Sequence, residues 1–145
     1  MATKSTFDWE HSAPPELRSA LEATASTVEK SEKSILFRRG DPSVGVFLVR
    51  KGKVSLSLDG TSVASRTLGP GSLLGLPATL NGRPYSLTAT VAEDCQLDFI
   101  SREVVLRVLR ENTLVCFQAL QILGSEISDM RRALDKLSCS KPQVA

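Results

Sequence analysis

The sequence is short of the residues that usually carry chemistry. Its 145 positions hold one histidine, His11, and three cysteines, Cys95, Cys116 and Cys139. The cysteines are odd in number and widely spaced, so neither a disulfide framework nor a zinc motif is indicated. His11 stands just before Pro14-Pro15, in a segment (residues 1–13) that reads as an N-terminal arm. A catalytic triad or a metal site would have to be built around that single residue. We therefore expect no catalytic residues and no metal ligands, and a protein that is not an enzyme. Charge of one sign is lacking too: 18 basic against 16 acidic side chains leave a net charge of +2. Direct nucleic-acid binding normally needs a clustered basic face and is not expected. No apolar run approaches the roughly 20 residues that cross a bilayer. Met1-Ala2-Thr3-Lys4-Ser5-Thr6 has no apolar signal core behind its lysine. No membrane association is expected, and the cytoplasm is the expected compartment. What remains is 41% hydrophobic and 23% charged residues, enough to build the core of one ordinary domain.

The chain divides into a short helical start, a strand-rich middle and a long helical end. Pro14-Pro15 suits a helix opening, because the first turn cannot use the amide hydrogen that proline lacks. Leu17 and Leu21, with Ala20 beside them, then form a narrow apolar face. From Ser34 to about Ile100, short apolar runs alternate with glycine turns. Ile35-Leu36-Phe37 precedes the turn cluster Arg38-Arg39-Gly40-Asp41-Pro42, and Val46 to Val49 precedes Lys51-Gly52-Lys53. Val54, Leu56 and Leu58 then alternate with Ser55, Ser57 and Asp59, as a strand with one buried face requires. Asp59-Gly60 is a strong hairpin signal, with Val63 to Leu68 as the returning strand. Tyr85 to Val91 and Cys95 to Ile100 read as another strand pair across a Glu93-Asp94 turn. Short strands at this spacing predict an all-β sandwich or barrel core. Gly40, Gly52, Gly60 and Gly71 fall between the predicted strands, where positive φ or a tight reversal is needed. Gly75, opening a short helical turn with Leu76, Pro77 and Ala78, could present backbone amides to an anion.

The helical end is the most regular feature. Ser101 is a cap for a short helix carrying Val104, Val105, Val108 and Leu109. A longer helix is predicted over residues 113–137, where Cys116, Leu120, Leu123, Ile127, Met130, Leu134 and Leu137 alternate by four and three. That heptad pattern fits a dimerisation helix, in which Glu126 of one chain would approach Arg131 of its partner in a parallel pair. A helix packing its stripe onto its own β core would show the same spacing. Val115, Phe117 and Ile122 lie off the seam, so one side could meet the sheet and another a partner. Cys116 reads as a small core residue. Residues 138–145 form a polar tail containing Pro142.

Several of these segments resemble a known family. Leu36-Phe37-Arg38-Arg39-Gly40-Asp41 with Phe47-Leu48-Val49-Arg50-Lys51-Gly52-Lys53-Val54 is similar to the opening of a cyclic-nucleotide-binding domain. Leu68-Gly69-Pro70-Gly71-Ser72-Leu73-Leu74-Gly75 resembles the turn into that family's phosphate-binding cassette, and Thr88 to Leu97 the strand pair that leaves it. The best match is the sensor half of Crp/Fnr-type bacterial regulators, over about residues 16–137. The resemblance implies a mainly β fold, an antiparallel β-roll with flanking helices, ending in a long helix that dimerises. It implies a sensor domain over residues 14–137 and a homodimer, with an unidentified protein as a further partner.

The departures from the family pattern bear on the ligand. Where binding members carry a glutamate that contacts the ribose hydroxyl, this chain has Leu76. Where they carry an arginine on the cyclic phosphate, followed by a small hydroxyl residue, it has Tyr85-Ser86. Leucine accepts no hydrogen bond and tyrosine has no fixed positive charge. Each lost charge-assisted bond costs about 1.5–3 kcal/mol, so cyclic AMP or cyclic GMP should bind weakly. Arg83, in the loop Asn81-Gly82-Arg83-Pro84, either is a solvent-exposed turn residue or reaches the pocket. With the amides of residues 75–78 and with Ser86, it could hold another small anionic ligand, and no cofactor is fixed by the pattern. The Fnr branch holds an iron–sulfur cluster through N-terminal cysteines, and no cysteine precedes Cys95. Heme would need a ligand for which Cys95, Cys116 and His11 are poorly placed. The eight residues after Leu137 are too few for the helix-turn-helix that follows this sensor in full-length regulators, so the expectation is a sensor without its DNA reader. The residues between Arg102 and Leu137 mix six basic and five acidic side chains, a solvated helix surface rather than a phosphate track. The expected function is a regulatory small-molecule sensor. The alternative is a ligand-independent dimeric scaffold whose pocket is filled by its own side chains.

Overall fold

The computed structural model describes residues 13–58 and 66–124. Helix α1 (Pro15–Glu22) leads into strands β1 (Ser26–Lys30), β2 (Ile35–Phe37), β3 (Gly45–Ser57), β4 (Arg66–Leu68) and β5 (Leu73–Leu74). Helix α2 (Leu76–Asn81), strand β6 (Thr88–Ser101) and helix α3 (Arg102–Glu111) follow. Residues 113–124 form a further helix, α4. The six strands join one antiparallel sheet in the order β1-β6-β3-β4, with β2 also on β6 and β5 also on β3. This is the mainly β roll with flanking helices that the sequence implied.

Two long strands, β3 and β6, form its spine. The sequence broke β3 at Gly52 and put a turn at Glu93-Asp94 in β6; the structure has neither interruption. Instead the two strands stay paired from Gly45↔Ser101 to Ser57↔Thr88, with the register slipping between Val49 and Val54. Gly52 takes φ 91° in this bulge, and a Cβ there would fall on the Asp94 carbonyl oxygen. A bulge absorbs the residues that a simple alternation reads as a turn, and it also reverses the face on which side chains emerge. Accordingly Phe47 and Val49 before it, and Val54 and Leu56 after it, all line the same core. The Asp59-Gly60 turn lies outside the described residues, while Val54↔Leu68 and Leu56↔Arg66 pair the flanking strands.

Strand β1, which the sequence reading missed, pairs with β6 from Ser26↔Phe99 to Lys30↔Cys95. Its side chains are exposed except for the half-buried Val28. An edge strand with no buried face has no alternation to read.

The sheet separates two apolar cores. The strand-side core, inside the roll, is built by β2 to β6 and includes Phe37, Val49, Val54, Leu68, Leu97 and Tyr85. The helix-side core joins Val46, Leu48, Leu73 and Ile100 of the sheet to Leu17 and Leu21 of α1, Val105, Val108 and Leu109 of α3, and Val115 and Ala119 of α4. Helix α1 starts at the Pro14-Pro15 pair as expected, yet Pro14 provides no side-chain cap. Gln118 of α4 supplies it: its Oε1 accepts from the Leu17 amide at 3.0 Å, and its Nε2 donates to Glu16 at 2.8 Å. This contact holds the Glu16 carboxyl below its ordinary value. Ala13, which the sequence placed in the arm, is buried, and its amide donates to the Gly71 carbonyl at 2.8 Å. The rest of the arm and the polar tail lie outside the described residues.

Candidate functional site

The cassette runs from Gly75 to Ser86. Gly75, at φ 84°, turns the chain out of β5, and α2 follows at once, as the glycine placement predicted. The helix is one short turn and a half, closed by Gly82 at φ 66°. Pro77 removes one first-turn amide hydrogen, and the Thr79 amide is spent on the Gly75 carbonyl at 3.1 Å. The expected cradle of amides over residues 75–78 is thereby reduced to those of Gly75, Leu76 and Ala78, and the Thr79 amide beyond it is not available to extend it.

The cassette side chains diverge. Leu76 is 1% exposed and sits in the helix-side core. Tyr85 is 3% exposed and sits in the strand-side core. Pro77 and Ala78 are half-buried, whereas Arg83 and Ser86 are exposed. The structure thus brings the seven predicted cassette residues into one segment but distributes them over two cores and the surface.

Tyr85 is the best-fixed of them. Its ring stacks on Phe37 with centroids 3.9 Å apart and planes 17° from parallel. Its hydroxyl donates to the Gly45 carbonyl at 2.7 Å and accepts from the amides of Val44 at 3.2 Å and Gly45 at 3.3 Å. A buried tyrosine needs such a partner for its hydroxyl. The turn predicted at Arg38 to Asp41 supports the backbone on either side: the Gly40 amide donates to the Tyr85 carbonyl at 2.8 Å and the Tyr85 amide to the Asp41 carbonyl at 2.9 Å. Gly45 has no room for a side chain, since a Cβ would fall on the Ile100 carbonyl oxygen and 2.8 Å from the Phe99 ring. The Thr79 hydroxyl, fully buried, donates to the same Gly45 carbonyl at 2.9 Å. The sequence reading missed Gly45, Thr79 and Phe37. Thr79 on a short helix, four residues after Gly75, was the one legible signal.

On the far side of α2, Arg102 donates from Nε to the Thr79 carbonyl at 2.8 Å, and its own amide donates to the Val44 carbonyl at 3.0 Å. Ser101 caps α3 as expected, its hydroxyl accepting from the Val104 amide at 3.4 Å. In α4 the buried residues, Val115 and Ala119, are not those of the heptad seam. Leu120 of that seam is 54% exposed, beside Leu114 and Phe117 at 52% and 61%, and Leu123 is half-buried. Glu126, Ile127, Met130, Arg131, Leu134 and Leu137 lie outside the described residues.

Cys95 is buried beside the bulge, its Sγ 3.1 Å from the Glu93 carbonyl and 3.3 Å from that of Lys53. Burial pushes its thiol pKa up. Cys116 is half-buried against the helix-side core. Among the described residues no group of histidine, cysteine and carboxylate side chains is placed to hold a metal ion. No helix among them is long and apolar enough to cross a membrane.

Comparison with known proteins agrees with this fold. The family model of the cyclic nucleotide-binding domain matches residues 27–112. The chain is 32% identical over 129 residues to the cyclic AMP receptor protein of Thermus thermophilus, covering 87% of this chain and 59% of that relative. Its fold is similar to the crystal structure of the Thermus thermophilus catabolite activator protein, with a TM-score of 0.75 at 28% identity over 90% of this chain and 63% of that one. It also matches a chain solved in work on a cyclic-GMP-dependent signalling pathway in bacterial phytopathogenesis, with a TM-score of 0.73 at 20% identity over 81% and 96% of the two chains. The chain spans less than two thirds of the length of either Thermus protein.

Proposed function

This chain belongs to the cyclic nucleotide-binding domain family, and from that premise we propose that it is a regulatory sensor module whose roll does not hold cyclic AMP or cyclic GMP in the family manner. The observation that carries the reading is Tyr85, which fills strand-side space where the resemblance expects a phosphate-binding arginine. A neutral phenol already satisfied by Gly45 and Val44 has no charge to offer a phosphate. Leu76 adds support, because its side chain packs with the helices and accepts no hydrogen bond from a ribose. If a small anion does bind, Arg83 and Ser86 are the exposed groups left to meet it.

The module works as a homodimer in the cytoplasm and acts on a protein partner rather than on substrate or DNA. Leu114, Phe117 and Leu120 are exposed apolar residues on α4, and the sequence from Leu120 to Leu137 carries the four-and-three spacing of a dimerisation seam. The near-balanced charges of residues 102–137 suit a protein partner better than a phosphate backbone. A ligand would act by favouring one arrangement of the helices over another.

One observation favours a second reading, a ligand-independent scaffold: both Leu76 and Tyr85 are consumed by packing. A thermal-shift screen with cyclic nucleotides and small anions separates the two. A concentration-dependent rise in Tm supports the sensor, and a flat response across the screen supports the scaffold. A solution mass near 16 kDa at micromolar concentration would contradict the dimer in both.

A further inference from the structure

Two side chains, those of Tyr85 and Thr79, converge on the start of β3, and a third, that of Arg102, joins them through Thr79. The Gly45 carbonyl accepts from the Tyr85 hydroxyl at 2.7 Å and from the Thr79 hydroxyl at 2.9 Å, so both lone pairs are used. Thr79 also offers its own carbonyl to Arg102 Nε at 2.8 Å. Arg102 opens α3, and its amide returns to Val44, whose amide the Tyr85 hydroxyl accepts. The bonds close a ring: Tyr85, Gly45, Thr79, Arg102, Val44 and back to Tyr85. The ring ties the roll interior to α2 and α2 to the first residue of α3. Most of it is out of water: Thr79 is 0% and Tyr85 3% exposed. Buried bonds of this kind fix geometry, because breaking one strands its partner. Leu76 of the same α2 belongs to the core that also holds Val105 and Leu109 of α3 and Val115 and Ala119 of α4, so a displacement of α2 disturbs the core these helices share.

Resting on the functional reading above, in which the roll holds no nucleotide, we propose that Tyr85, Thr79 and Arg102 are positioning residues. Together they make the Tyr85 side chain a tethered internal occupant that sets the position of α2 and α3. The molecule supplies from its own sequence the contact that would otherwise come from a diffusible ligand. Tyr85 is the element that a regulator must displace to move the helices.

The test is residue-resolved amide hydrogen exchange on the full chain, in wild type and in Tyr85→Phe, Thr79→Val, Thr79→Ser and Arg102→Met. Phenylalanine preserves the stack on Phe37 and removes only the hydroxyl, so folding is retained. The inference expects Tyr85→Phe to speed exchange at the Thr79 and Arg102 amides about threefold to tenfold, the factor one lost hydrogen bond gives. Arg102→Met should in turn speed exchange at the Tyr85 and Gly40 amides. Thr79→Val should act like Tyr85→Phe, and Thr79→Ser should restore wild-type rates. Faster exchange confined to residues 37–47 in Tyr85→Phe, with the Thr79 and Arg102 amides unchanged, would overturn the inference and leave Tyr85 as a packing residue only. The functional reading fails by a different result, tight cyclic-nucleotide binding by the wild-type chain; the exchange pattern of the unliganded chain would still decide the positioning role.

Discussion

Leu76 and Tyr85 lie in one short segment of the chain and are buried in different cores, Leu76 on the helix side of the sheet and Tyr85 inside the roll. The sheet lies between them. A single pocket lined by both side chains is therefore not what this cassette builds. Its two ends report on two separate packing environments.

Placing at position 76 the acidic residue that the family resemblance leads one to expect should accordingly do harm. Leu76→Glu buries a carboxylate in the apolar helix-side core that holds Val105, Leu109, Val115 and Ala119. An uncompensated buried charge costs about 3–5 kcal/mol. Urea unfolding should show that loss with no gain in cyclic-nucleotide binding. A stable variant that acquires binding would mean that position 76 faces the ligand.

The Tyr85 contacts divide into ring and hydroxyl. Tyr85→Phe removes the hydroxyl that the Val44 and Gly45 amides donate to and leaves the Gly45 carbonyl with Thr79 alone of its two hydroxyl donors, and it should cost about 1–3 kcal/mol. Tyr85→Ala also empties the space against Phe37 and should cost about 3–5 kcal/mol. Equal midpoints for the two variants in urea would contradict this division.

Gly45→Ala tests the crowding at the start of β3. A methyl group there meets the Phe99 ring and the Ile100 carbonyl oxygen, and the latter is backbone that cannot swing aside. Overpacking of this sort costs about 1–3 kcal/mol or more. Gly40→Ala, in open space but at φ 93°, should be strained for its backbone alone. A Gly45→Ala protein as stable as wild type would contradict the close approach.

Much of this architecture was legible in the sequence, and the exceptions share a cause. Alternation located Val54 and Leu56, Gly75 located α2, and Ser101 located α3, because each of these is a local signal. Strand β1 was silent because an exposed edge has no buried face to pattern. Gly52 and Glu93-Asp94 were read as breaks because a bulge and a turn use the same residue types. The heptad in residues 116–137 was visible, yet the fully buried residues of α4 are Val115 and Ala119, with the seam residues Cys116 and Leu123 only half-buried against the same core. The opposed burial of Leu76 and Tyr85 depends on long-range packing that spacing along the chain does not encode.

Two ionisable groups give pH signatures of opposite direction. The Gln118 hydrogen bond lowers the Glu16 pKa, so its stabilisation is present above the ordinary carboxylate value and lost as pH falls through the folded one. Gln118→Ala should lower Tm at neutral pH and reduce its fall on the acid side. Burial raises the Cys95 pKa, so its contribution is present below the ordinary thiol value of about 8.5 and lost as pH rises through the folded one. In the native protein Cys95 should be alkylated more slowly than the half-buried Cys116, and the two should become equal in urea. Faster native labelling of Cys95 would contradict its burial.

Isothermal titration of the purified chain with cyclic AMP and cyclic GMP bears most directly on the central claim, that Tyr85 and Leu76 have replaced the nucleotide's anchors with packing. Two lost charge-assisted contacts amount to at least about a hundredfold in affinity, so neither nucleotide is expected to bind with a submicromolar dissociation constant. A submicromolar constant for either nucleotide would contradict the claim.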